Sequence, residues 1–465
     1  MSLRSACKTN VPIRIEAPLV RPMLRSVRYP DTLALLTFAV TIALAAPPAL
    51  ADNWPQWRGP TGDGVVVEDD LPLRWTEDEG VSWKCSLPEW GNSTPAIWGD
   101  AVFLTSHVED RDLVLLRIDK RNGHVVWTRQ VGSGSTRRAP AGHKSGEDRG
   151  RQKFHNTHNL ATPSPVTDGE VVIAHFGNGD LAAYDFNGKQ LWLRNLQQDF
   201  GPYTIWWGHG NSPVLFEDLV ISVCMQDNCR DFRDEPAPSY VVAHDLRTGE
   251  VRWKTLRMTA ATMENCDSYT TPIFRRHNDR TEMILMGGQM LDAYDPRTGM
   301  QLWSLPDLIG NRVIPTPVAA GEMVFAIQGM REPLLAVRPG GDGERSPDEI
   351  IWQSEKGTSD SPSPIYSNGL VFMVTNNGIA HCFEAETGKL AWKERIKGDY
   401  RASPIAAAGR IYFLNTAGVT TVVAASDHFE RLAENKLDDE TVASPAVSDG
   451  QIFIRGRKSL YCLKQ

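Results

Sequence analysis

The stretch "DGEVVIAHFGNGDLAAYDFNGKQLW", residues 168–192, is written a second time at 368–392 as "NGLVFMVTNNGIAHCFEAETGKLAW". Each version starts on a Gly turn and an apolar, β-branched run. A second turn, a second run, a third turn and a Trp follow. The runs, "VVIAHF", "LAAYDF" and "QLWLRNL" among them, have the length, branching and flanking turns of strands. The "DG", "NG" and "TG" dipeptides are hairpin turns in which Gly accepts positive φ. One unit is therefore a meander of about four strands. Alone it would expose both sheet faces and two edges, so its neighbours must bury it.

The rest of the chain supplies those neighbours. A Ser/Thr-Pro step opens each unit, at Pro95, Pro165, Pro213, Pro272, Pro317, Pro364, Pro404 and Pro445. A Trp closes most of them: Trp127, Trp192, Trp253, Trp303, Trp352 and Trp392, with Phe429 expected in that place in the seventh. Units spaced roughly 40 to 70 residues apart are too long and uneven for a solenoid, the alternative repeat architecture. Radial packing of the meanders gives an all-β, eight-bladed β-propeller. The last unit stops at "SLYCLKQ" without a fourth strand, while Val81–Lys84 forms an orphan strand with its own Trp. Pairing the two closes the ring, and the recurring Trp is expected to wedge adjacent blades together.

Ahead of the propeller, six basic residues precede an apolar run from Leu33 to Ala46, and Ala49-Leu50-Ala51 ends in small residues. This reads as an export signal over residues 1–51, with Met1 or Met23 as the start, and the run is shorter than the ~20 residues of a membrane span. No Cys follows the cleavage point, so no lipid anchor is expected. Residues 52–74 form an extended lead-in on the outside of a propeller domain spanning 75–465. The net charge is −8; without residues 1–51, 43 basic residues face 55 acidic ones, which argues against nucleic acid as a partner. The basic stretch Arg129–Lys153 reads as a solvated loop. Export permits disulfides, and Cys224 with Cys229 is the candidate pair. Cys382 and Cys462 take the place of Ala183 in their units and read as core thiols.

The strings "AAYDFNGKQLW", "AYDPRTGMQLW" and "CFEAETGKLAW" resemble the tryptophan-docking repeat of the PQQ-like, quinoprotein alcohol dehydrogenase-like superfamily, from about Trp75 to Leu463. The opening "NWPQWRGPTGDG" and the ending "ASPAVSDGQIFIRGRKSLYCL" resemble an exported branch of unassigned activity. The resemblance implies either of two functions. One is a pyrroloquinoline quinone (PQQ) and Ca²⁺-dependent alcohol or polyol dehydrogenase; the other is a scaffold like the eight-bladed protein of outer-membrane assembly, without cofactor. Such dehydrogenases use an adjacent Cys pair and, in some, a haem motif, and this sequence contains neither. The favoured reading is an exported, periplasmic or secreted binding protein that takes a protein or extracellular ligand at one mouth of the ring and needs no cofactor.

In a propeller the loops entering the innermost strands gather at one mouth. Here they carry His155, His158, Asn159, Trp206, Trp207, His209, Asp267, Arg312, Asp360, Asp399 and Arg401. Trp206 and Trp207 are candidates for a stacking floor. Asn159, Asp267, Asp360 and Asp399 are candidate oxygen ligands for Ca²⁺. The alternative is that the tryptophans fill a blade junction and the polar groups cap turns.

Overall fold

A computed structural model describes residues 53–465, except 69, 139–149, 232 and 278; the export signal expected at 1–51 lies outside the described residues. These residues form eight sheets of antiparallel meanders, one of them with an added parallel strand. Seven follow in chain order, with innermost strands at Ala96–Trp98, Val166–Thr167, Val214–Phe216, Ile273–His277, Val318–Ala320, Ile365–Ser367 and Ile405–Ala407 (blades 1 to 7). Blade 8 comprises Ala446–Ser448, Gln451–Arg455 and Ser459–Leu463 from the C-terminus, with Val81–Ser86 as its outer strand. Trp83 pairs with Cys462 and Cys85 with Leu460. The N-terminal strand closes the ring, two residues longer than the sequence suggested.

Adjacent blades are joined at two radii. On the outside, the outer-strand Trp of one blade donates its indole N–H to a carbonyl in the third turn of the next. Trp127 reaches Phe186 O (3.0 Å), Trp192 Leu246 O (3.0 Å), Trp253 Pro296 O (3.1 Å), Trp352 Ala385 O (2.8 Å) and Trp392 Ser426 O (3.0 Å). Trp83 carries the chain of contacts from blade 8 back to blade 1 through Lys120 O at 2.7 Å. The turn glycines serve these rings as well as the turns. A Cβ on Gly249 would lie 2.6 Å from the Trp192 indole and one on Gly388 2.5 Å from Trp352, and both residues have positive φ.

On the inside, the residue before each opening proline forms part of a ring. The N–H of Thr94 donates to Ser164 Oγ (2.9 Å), and that of Ser164 to Ser212 Oγ (3.0 Å). The series resumes from Thr271 through Thr316, Ser363 and Ser403 to Ser444, at 2.9–3.0 Å. Thr94 Oγ1 closes the circle on Ser444 O at 3.0 Å. Between Ser212 and Thr271 the amide of Asn211 bridges to Ser268 O and Thr270 O. Only a small hydroxyl can accept from a neighbouring backbone so near the axis, and this accounts for Ser or Thr at every step.

Two expectations fail for a shared reason. Phe429 does not occupy the docking position of blade 7; Ala433 does, paired with Val422 as Trp392 is with Cys382. Phe429 instead meets Trp392 edge-on at 5.2 Å. Trp75 supplies the missing bulk: it is buried in the same cluster as Ala433, and its N–H donates to Asn435 Oδ1 at 3.0 Å. The lead-in is therefore structural, and its first part does not lie on the outside at all. Trp54 pairs with Ile97 on the inner edge of blade 1, Pro55 O accepts from Thr167 N of blade 2, and Gly64 and Val66 pair with Ala406 of blade 7. The buried Arg58 donates to Pro364 O of blade 6 at 2.7 Å, across the ring from blade 2. Burial lowers its pKa to about 10. The innermost strands are short and would otherwise present bare backbone to the channel; the lead-in covers them.

Cys382 and Cys462 are buried core thiols facing the docking tryptophans, pushed up to about 12 by burial. Cys224 is a free, buried thiol, so the bridge to Cys229 is not formed. Among the described residues no helix is long and apolar enough to cross a membrane.

Replacing Trp192 by Ala should destabilise the protein by about 3–5 kcal/mol, the range for a large buried aromatic. Gly249→Ala should cost at least about 1 kcal/mol, from its left-handed backbone alone. Urea midpoints measured beside wild type check both, and unchanged midpoints would contradict the docking account.

Candidate functional site

The inner ring of hydroxyls is also the lining of a cavity of about 380 Å³ on the propeller axis. Ser164, Ser212, Thr271, Ser403 and Ser444 contribute to it, and Trp57 of the lead-in lines it too. Above the ring, the entry loops bring His155, His158, Trp207, Arg312, Asp360 and Arg401 to the same cavity. Those loops begin where outer strands end and must return to the axis, so their side chains converge whatever their sequence.

Arg312 is held from two sides, by Glu264 Oε1 at 3.0 Å and Asp360 Oδ2 at 3.4 Å. Glu264 also accepts the indole N–H of Trp207 at 2.9 Å, which fixes that ring against the arginine's counter-ion. These half-buried carboxylates keep the Arg312 guanidinium charged, against the opposing effect of its own burial. Arg401 differs. Its one hydrogen bond is to Tyr400 O at 2.9 Å, and it has no carboxylate partner among the described residues. His155 meets Trp207 edge-on at 5.7 Å; desolvation, then Arg401 and Arg312, lower its pKa. His158 accepts from Thr162 at Nδ1 (2.5 Å) and donates from Nε2 to Gly208 O (3.0 Å). Burial brings its pKa to about 4, so it is a neutral structural group at the rim. At the outer lip Trp90 lies between two guanidiniums, Arg457 at 5.1 Å and Arg138 at 5.6 Å.

The other candidates lie elsewhere. Asn159 is buried, donating to Trp90 O and accepting from Ala161 N. Trp206 is buried beneath Lys153 Nζ, 4.3 Å from its ring centroid. The Lys153 end of the basic stretch is thus interior and not a solvated loop. Asp267 is buried and accepts the Trp206 N–H at 2.6 Å, and burial holds its pKa well above the carboxylate range. His209 is buried between blades 2 and 3, stacked on Tyr203 at 4.6 Å, with Nε2 on Val223 O. Asp399 lines a neighbouring groove of about 790 Å³, together with Arg401, Lys436, Glu440, Arg457 and Lys458. Asn159, Asp267, Asp360 and Asp399 therefore share no common point. Among the described residues no three His, Cys, Asp or Glu side chains are placed to hold one metal ion. The sequence reading missed Glu264, three residues before Asp267 in the same loop, and Trp57, whose lead-in was assigned to the exterior.

Eight meandering blades, indole docking and an axial cavity at the entry-loop mouth define a PQQ-like β-propeller. The chain belongs to the family described as outer membrane protein assembly factor BamB, whose profile matches residues 65–224, 143–339 and 289–431. Among solved structures it is similar to BamB from Moraxella catarrhalis (13% identity, TM-score 0.55, covering 82% of this chain and 96% of that one). It is also similar to the quinohemoprotein alcohol dehydrogenase from Comamonas testosteroni (12%, TM-score 0.62, 88% and 80%). A europium-containing methanol dehydrogenase gives 10%, TM-score 0.62, with 88% and 90% covered. At these identities the likeness is one of fold. No curated protein matches the sequence significantly.

The seam between blades 2 and 3 yields a pH prediction. His175, His209 and His244 are all buried in it, with His175 and His209 4.9 Å apart. Burial lowers His209 and His244 to about 4 and His175 well below its ordinary value. Next to His209, His244 and Tyr203, these groups have Arg194 and Asp199 as charged neighbours, both near His244. A histidine with a depressed folded pKa contributes stability above its unfolded value of about 6.5, and that stability is lost as pH falls towards 4. The unfolding free energy from urea titrations should hold steady above neutrality and then fall, by up to roughly 1.4 kcal/mol per pH unit for each histidine. His209→Gln should flatten the slope, and a profile unchanged from pH 7 to 4.5 would contradict the neutral assignment.

Proposed function

We propose that this protein is an exported, non-catalytic binding propeller whose axial mouth engages a protein of the cell envelope or another extracellular ligand. The observation that carries this reading is the state of the charges at the mouth. Arg312, Glu264 and Asp360 are bound to one another, and Trp207 is tied to that group. Such a cluster supplies a rigid, amphipathic contact surface. Among the described residues that line the cavity the one carboxylate is Asp360, and it faces the Arg312 guanidinium at 3.4 Å. The family's description, outer membrane protein assembly, supports an envelope protein as the partner class. Export through residues 1–51 and release without a lipid anchor belong to the same proposal.

The second reading, a PQQ- and Ca²⁺-dependent alcohol or polyol dehydrogenase, is favoured by Trp207 on the wall of the cavity and by the two dehydrogenases of similar fold. The two arginines suit the carboxylates of a planar quinone. The calcium half does not fit: Asp267 is buried on the Trp206 backbone N–H, Asn159 is bonded to backbone, and Asp360 is the counter-ion of Arg312.

Two experiments decide between them. A photo-crosslinking residue at Trp207 should capture a discrete envelope protein in living cells, while the same residue at Glu386 on a blade-6 turn should not. Calorimetric titration with PQQ and Ca²⁺ should show no stoichiometric complex. A complex with alcohol-dependent dye reduction, lost in Trp207→Ala, would overturn the binding-protein reading.

A further inference from the structure

We infer that the axial cavity and the groove beside it form a receptor for the free C-terminus of an extended protein chain, its terminal carboxylate held by Arg401 over the ring of hydroxyls. This rests on the binding-protein reading and assigns the chemistry that the mouth recognises.

On the side away from the entry loops Trp57 lines the axial cavity, and the lead-in that carries Trp57 covers the inner edges of blades 1, 2 and 7. A ligand entering from the loop side therefore meets the hydroxyl ring and Trp57. At the floor, Ser164, Ser212, Ser403 and Ser444 each accept a neighbouring backbone N–H on Oγ. Each of these hydroxyls keeps its proton, which it can donate to a ligand in the cavity. A floor of hydroxyl donors suits an acceptor-only group, and a carboxylate is one. Arg401 gives the charge. Arg312, on the entry loop of blade 5, already has two carboxylates, whereas Arg401, on that of blade 7, has none among the described residues, and its guanidinium makes one hydrogen bond there, to Tyr400 O.

The second volume decides in favour of a chain end over a small acid. The groove of about 790 Å³ shares Thr157, Arg401 and Val442 with the axial cavity, so the two meet at the arginine. It passes over the entry loops of blades 7 and 8, lined by Asp399, Lys436, Glu440 and Lys458 among others. Arg457 and Glu440 pair with each other there at 3.3 Å, while Asp399 and Lys458 carry no ion pair among the described residues. A pocket with a cation at its lip and a polar groove leading away accommodates one terminus and the extended chain behind it. An internal loop would have to enter and leave by the same mouth. Capture of a terminal carboxylate is an established mode of peptide recognition.

The test uses the exported protein and a library of random decapeptides displayed with free C-termini. The most enriched peptide is then synthesised as the acid, as the C-terminal amide and with two residues added at the C-terminus, and binding is measured by fluorescence anisotropy. The acid should bind at least about tenfold more tightly than the amide, the effect of one charge-assisted contact. Arg401→Gln should remove that preference, and Arg401→Lys should restore part of it. The thermal midpoint of Arg401→Gln should match wild type, since among the described residues the side chain's one hydrogen bond is to Tyr400 O. Equal binding of acid and amide would overturn the inference, as would tolerance of the extension. So would a selection that enriches nothing over the Arg401→Gln protein. If crosslinking at Trp207 still captures an envelope protein, only the C-terminal specificity fails; if PQQ-dependent turnover appears instead, the binding reading itself has failed.

Discussion

The ring depends on one contact made repeatedly: the indole of an outer strand laid against the third turn of the following blade. It couples two properties of the repeat that look independent in the sequence. The Trp needs a bare glycine backbone to lie on, and the turn needs a residue of positive φ; Gly249 and Gly388 meet both demands. Because the indole N–H ends on a backbone carbonyl, burial of the large ring leaves its polar atom satisfied in six of the interfaces. The contact is directional from each blade to its successor, so it can be completed only when the last blade meets the first. Trp83 completes it, and that makes the strand Val81–Ser86 indispensable to closure.

The two interfaces that lack this contact show what replaces it. Trp303 is buried with no carbonyl partner, and an extended loop of blade 5 folds back over it. Gly343–Glu344 adds a fifth, parallel strand beside Trp303 and Ser304, and Arg345 lies over the indole at 5.4 Å. In blade 7 the docking residue is Ala433, and Trp75 arrives from a remote part of the chain to fill the volume. Packing density is conserved even where the sequence motif is not. The same economy governs the axis, where the lead-in covers inner edges and in doing so places Trp57 against the axial cavity.

That course of the lead-in shapes the site. The entry-loop side of the hydroxyl ring carries the charged and aromatic side chains, and the lead-in lies on the other. The protein is acidic overall, yet Arg138, Arg312, Arg401 and Arg457 collect around this mouth, and two of them flank Trp90. An anionic group approaching an acidic molecule finds its favourable field there.

The sequence by itself determined the strand units, their number, the closure by Val81–Lys84 and the face on which the entry loops gather. These are local properties: period-2 runs, turn glycines and proline punctuation are fixed by the chain's nearest neighbours. It also placed His155, His158, Trp207, Arg312, Asp360 and Arg401 at one mouth, because that follows from counting back from each proline. Tertiary structure alone decided which of their companions face the cavity. Trp206 and Trp207 are adjacent and chemically identical, but one lies under Lys153 and the other lines the cavity. Asp267 and Asp360 stand five and four residues before their opening prolines, yet one is buried on a backbone N–H and the other is the counter-ion of an arginine. Such outcomes depend on what another blade brings opposite. The course of residues 53–68 through the channel likewise depends on unpaired edges more than thirty residues away, which no window of sequence contains.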